Sequence, residues 1–166
     1  MDNRLKLPVG IDSFEKIRKN GYYYVDKTKL IEQLVENGSE VTLFTRPRRF
    51  GKTLNMTMLR EFFDITKDSR QLFQGLSIMD TEYASQINSR PVIFLTLKDC
   101  KGTTAQEMLL LMKKQIYLEY MRYEKNMKGK LDEASLLAQD FRAMIDVLRD
   151  PASLPALFTD SIRLLC

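Results

Sequence analysis

A chain of 166 residues, 44% hydrophobic and 29% charged, has enough apolar content for a core of its own and is excluded from the disordered class. The absence of histidine excludes Ser-His and Cys-His nucleophilic pairs and histidine-ligated metals. Two distant cysteines, Cys100 and Cys166, argue against a disulfide framework or a zinc site, and a net charge of +4 is only mildly basic.

The N-terminus, MDNRLKLPVG, has no apolar signal core, and no later run reaches membrane-spanning length. A cytoplasmic protein without membrane contact is expected. Residues 12–20 read as a short helix with an Asp12/Glu15 capping box and Gly21 as its stop. Tyr22-Tyr23-Tyr24-Val25 reads as a short strand. Asp26 caps a second helix, on which Leu30, Ile31, Leu34 and Val35 form an apolar stripe that ends at Gly38. Val41-Thr42-Leu43-Phe44-Thr45 reads as a buried strand, followed by a basic loop and a helix from about Lys52. Residues 68–90 read as irregular chain with helical turns, and Pro91 to Leu97 as a second buried strand. A long helix starts at Thr103 and Thr104, and residues 122–130 read as an exposed basic loop. Further helices carry Ala134 to Leu148 and Leu154 to Leu165, with Asp150-Pro151 between them.

Strands alternating with helices predict an α/β layer built on a parallel sheet. Two clear strands are few for so many helices, and the chain ends on an apolar helical face. That pattern points to a chain that stops before another core strand; the alternative is a complete small protein whose last helix docks its own end.

The stretch RPRRFGKTL, residues 46–54, carries the chemistry. Gly51-Lys52-Thr53 ends like a phosphate-binding loop, in which backbone N–H groups cradle phosphate, the lysine reaches the β- and γ-phosphates and the hydroxyl ligates Mg²⁺. Arg46 stands where the first glycine of G-x-x-x-x-G-K-[ST] belongs. Pro47 favours extended backbone at Arg46 and removes one N–H donor, so donors start at Arg48. Two other readings stay open: a plain turn before a helix, and a nucleic-acid-binding patch formed by the cations Arg46, Arg48, Arg49 and Lys52. Asp99 is the one candidate within the chain for an acidic Mg²⁺ ligand, and capping the next turn is its simpler role.

The segments LPVGIDSFEKIRKNGYYYVDKTKLIEQL, TLFTRPRRFGKTLNMTMLREFF and PVIFLTLKD strongly resemble the bacterial AAA-ATPase-like family. Its two strongest marks are YVDKT at Tyr24–Thr28 and RPRRFGKT at Arg46–Thr53. The resemblance implies a P-loop NTPase-like three-layer core with a parallel sheet, incomplete at the C-terminus. It makes residues 1–166 the N-terminal part of an AAA-ATPase-like domain, with a helix/strand region at 1–38 and a P-loop core lacking the Walker B strand at 39–166. It implies ATP and Mg²⁺ as cofactors. A variant Walker A cradle would be formed by Arg46, Pro47, Arg48, Arg49, Phe50, Gly51, Lys52, Thr53 and Leu54, with Thr53 on the metal. Members typically continue into a strand carrying the Walker B acids, and many then carry a nuclease-like domain of the PD-(D/E)XK type. Any nucleic-acid partner would belong to that domain, and without the Walker B acids the isolated chain is not expected to hydrolyse ATP. A non-catalytic fragment is the remaining alternative, and the resemblance assigns no role to Tyr24, Asp26 or Lys27.

Overall fold

The computed structural model describes residues 6–47, 49–98, 100–127 and 136–150. Arg48, Asp99, Lys128, Lys130 and the expected final helix from Leu154 to Leu165 lie outside the described residues. Five α-helices are described: α1 (Phe14–Lys19), α2 (Lys29–Asn37), α3 (Lys52–Phe63), α4 (Ala105–Met127) and α5 (Leu136–Arg149). Three short 3₁₀ turns, Arg70–Phe73, Ser77–Asp80 and Glu82–Gln86, fill the region expected to be irregular. The chain divides into two compact units, Met1–Val92 and Ile93–Cys166.

In the first unit, the side chain of Ser13, rather than Asp12, caps α1 and accepts from the Lys16 N–H at 3.3 Å. Helix α2 ends as its sequence predicts, with Gly38 in the left-handed region at φ 55°. Phe14 of α1, Ile31 of α2, Met58 and Phe62 of α3, and Phe73 form the buried centre. Phe62 meets Phe73 edge-on at 5.3 Å, the arrangement that aromatic quadrupoles favour. Burying each of these large side chains contributes about 1.5–3 kcal/mol. A buried polar cluster closes the end of α3. Glu61 accepts from Lys67 Nζ at 2.7 Å and from Ser69 Oγ at 2.6 Å, while the side-chain amide of Asn88 donates to the carbonyls of Glu61 and Asp64.

In the second unit, α4 packs on α5 through Ile116, Tyr120, Phe141, Ile145 and Leu148. Lys113, nearly buried on α4, donates to the carbonyl of Asp150 just beyond α5. The expected loop at 122–130 begins instead as helix. Arg122 pairs with Glu119 one turn back and α4 runs on to Met127.

The parallel sheet is corrected. Among the described residues there is no strand, only an isolated parallel bridge between Asp64 and Arg90. The three segments read as strands, 22–25, 41–45 and 91–97, run as non-helical chain without a ladder. The physical reason lies in what a strand requires. β-branched and aromatic runs favour extended backbone, but a strand exists only when a neighbour takes up its N–H and C=O groups. Val41 and Leu43, expected in the core, are 85% and 81% exposed. The described fold is therefore helical, and the α/β three-layer core is not formed.

Candidate binding site at the start of α3

Helix α3 opens without any of the usual anionic complements. Its N-cap is Gly51 at φ 74°, which has no side chain to offer to the first N–H groups, and its first turn contains no acid. By contrast, α1, α2 and α4 carry Glu15, Glu32 and Glu107 in their first turns. The positive end of the α3 dipole is left uncompensated by its own sequence. Ahead of it the chain turns tightly. The Phe50 N–H donates to the Pro47 carbonyl at 3.4 Å, and Arg49 takes φ 71°, a region that few residues with a Cβ occupy. Lys52 Nζ reaches back to the Arg46 carbonyl at 2.7 Å and closes the segment on itself.

A second stretch of chain forms the facing wall. The Thr57 hydroxyl accepts from the Phe14 N–H at 3.1 Å and lies within donating distance of the Asp12 and Leu54 carbonyls, at 3.1 and 2.9 Å. This hydroxyl ties the start of α1 to α3 and lays residues 8–12 beside the helix N-terminus. Between them is a pocket of about 730 Å³, lined by Pro8 to Asp12 on one side and by Arg49 and Gly51 to Leu54 on the other. Arg49 and Lys52 make no ion pair among the described residues. Asp12 is the only acid in the lining.

The YVDKT segment approaches the same loop. Tyr24 packs edge-on against Phe14 at 5.2 Å, and its hydroxyl donates to Met58 Sδ at 3.1 Å. Burial pushes the Tyr24 phenol up to about 12. Asp26 Oδ1 accepts from the Thr28 N–H and hydroxyl, and Asp26 Oδ2 accepts from the Ser77 N–H and hydroxyl. Burial opposes ionisation of Asp26, but these four donors outweigh it and hold the carboxyl below its ordinary value. Lys27 then lies beside Gly51, its ammonium 3.5 Å from where a Cβ on that glycine would stand.

Of the residues singled out from sequence, Arg49, Gly51, Lys52, Thr53 and Leu54 line one pocket. Arg46 joins them through its carbonyl, and Arg48 lies outside the described residues. Pro47 and Phe50 belong to the turn, and Phe50 is exposed. The facing wall, Pro8 to Asp12, was not singled out, and the Pro8-Val9-Gly10 stretch gives no chemical signal of its own.

The fold and the site together define a helical protein with a basic pocket at a helix N-terminus. The profile of the family described as "Predicted AAA-ATPase" matches residues 8–154, and the chain belongs to this AAA-ATPase-like family. A protein of Azotobacter chroococcum mcd 1, described as "Uncharacterized protein in vnfD 5'region", is 48% identical over 79 residues. Those residues are 47% of this chain and 14% of that protein, so the chain matches a small part of its relative's length. No solved structure matches the chain.

Membership does not bring with it the P-loop core that the resemblance implied. A Walker A loop is held between a buried parallel strand and a helix. Here the helix is present, but residues 41–47 enter the loop as exposed chain without a strand partner. The assignments of ATP and Mg²⁺ as cofactors, of Thr53 as a Mg²⁺ ligand and of nucleotide or nucleic acid as partner are corrected accordingly. Among the described residues no group of three or more acids or cysteines is arranged to hold a metal. None of the described helices is long and apolar enough to cross a membrane.

Proposed function

We propose that this chain is a non-catalytic binding unit that takes up an oxyanion in the pocket at the start of α3. The observation that carries this reading is the pair Arg49 and Lys52, lining one pocket at an uncapped helix N-terminus with no ion-pair partner among the described residues. Two guanidinium or ammonium donors beside open backbone N–H groups suit a carboxylate or phosphate group. The reading assigns no nucleoside, metal or bond-breaking step to the site. Residues 46–54 act as the binding segment, with Arg46 and Pro47 shaping the turn. A reducing cytoplasm is the compartment we infer, supported by Cys100, which is buried as a free thiol.

The test is calorimetric titration of the chain with inorganic phosphate and with acetate, at ionic strength held constant with chloride. Saturable binding of at least one anion is expected, weakened about tenfold or more in Lys52→Ala. Lys101→Ala, an exposed cation of the second unit, should leave it unchanged. Equal behaviour of Lys52→Ala and the native chain would overturn the reading.

A further inference from the structure

We infer that Lys27 is a third cation of this site and makes it prefer a doubly charged oxyanion, a phosphate, over a carboxylate; this rests on the oxyanion reading above. The first observation is position. The Lys27 ammonium lies against Gly51, the residue that opens α3 and lines the pocket, in space left free because glycine has no side chain.

The second is availability. The adjacent Asp26 carboxylate is committed to four donors from Thr28 and Ser77, and Lys27 makes no ion pair among the described residues. Its charge is therefore not cancelled locally. The third is rigidity. Thr28 is fully buried and Asp26 is tied to the 3₁₀ turn at Ser77, so the backbone on both sides of Lys27 is fixed. An ammonium presented from a fixed backbone loses less freedom when it meets a ligand.

The charge balance then selects the ligand class. The lining residues Arg49, Lys52 and Asp12 sum to +1 + 1 − 1 = +1, which matches a carboxylate. Adding Lys27 gives +2, which matches a phosphate whose second proton is lost, with a pKa of about 6. Coulombic attraction between such groups is strongest where the site excludes water, as a lined pocket does.

The experiment follows the amide resonances of Gly51, Lys52 and Thr53 in the isotope-labelled full chain at pH 8. Inorganic phosphate or acetate is titrated into the native chain, Lys27→Gln, Lys27→Arg and Lys52→Ala. The native chain should prefer phosphate. Lys27→Gln should lose about tenfold in phosphate affinity while its acetate affinity stays within about twofold, and Lys27→Arg should keep the preference. If Lys27→Gln retains the native preference while Lys52→Ala loses phosphate binding, Lys27 has no part in the site and the inference is overturned, with the oxyanion reading intact. If neither anion moves these amides in the native chain, the oxyanion reading fails and this inference falls with it.

Discussion

The ammonium of Lys27 stands 3.5 Å from the position that a Cβ on Gly51 would occupy. That separation is ordinary van der Waals contact, so an added methyl group would meet the lysine without a severe clash. The larger cost of Gly51→Ala is in the backbone, because φ 74° places an L-residue in the left-handed region. The substitution should cost about 1–2 kcal/mol and lower the thermal midpoint by several degrees. Gly51→Asn should recover part of the loss, since asparagine tolerates this conformation better. Equal melting of Gly51→Ala and the native chain would show that the helix does not start with Gly51 in this geometry.

Asp12 is the one acid lining the pocket, and its charge opposes an incoming anion. Asp12→Asn should tighten phosphate binding about threefold at low salt, with the gain shrinking as salt rises. Its backbone carbonyl still faces the Thr57 hydroxyl, so the wall should keep its place. Calorimetric titration at two salt concentrations reads both effects, and weaker binding in the variant would contradict the placement of Asp12.

Helices were legible because their signals are local. Gly38 ends α2 in the left-handed region, and α3 begins at Lys52 where the apolar spacing starts. Strands were not, because pairing is a relation between distant segments. VTLFT and PVIFLTL have the composition of buried strands, yet no ladder forms around them among the described residues. The site was half legible. Gly51-Lys52-Thr53 announced an anion-suited helix start, and Asp26 was read as a cap, which its bond to the Thr28 N–H bears out. The second oxygen of Asp26 binds Ser77, 51 residues away, and Lys27 meets Gly51 only through the fold. No spacing rule reaches contacts of that range.

Arg49 combines a strained backbone with a useful charge, and the two can be separated. Arg49→Gly removes a left-handed penalty of about 1–2 kcal/mol. It also adds unfolded-state freedom that costs about 0.5–1 kcal/mol. Net stability should change by less than about 1 kcal/mol, while phosphate binding falls several-fold through the lost guanidinium. Urea unfolding beside anion titration tests this. A clear loss of stability would mean that the Arg49 side chain holds the turn rather than the ligand.

Asp26 should give the first unit an acid-sensitive joint. Its four hydrogen bonds, from Thr28 and Ser77, measure 2.7–2.8 Å. Each hydroxyl has one hydrogen, and both are donated to the carboxylate. The 3.1 Å contact between the Thr28 and Ser77 oxygens therefore has no hydrogen left to share. Only an ionised, acceptor-only group satisfies all four donors. Burial opposes the charged form, but the donors lower the folded-state value below the ordinary 3.8. A lowered carboxyl value contributes stability that is present above the unfolded value and lost as pH falls through the folded one. The native chain should therefore lose stability progressively as pH falls below about 4. Asp26→Asn turns a donor towards Ser77 or Thr28 and should cost about 1–2 kcal/mol at neutral pH, a figure moderated by the solvent that reaches this carboxylate. It should also flatten the acid limb of the stability profile. Urea unfolding of both chains between pH 7 and pH 3 makes the comparison. Parallel profiles would mean that Asp26 does not hold the Ser77 turn as a charged acceptor.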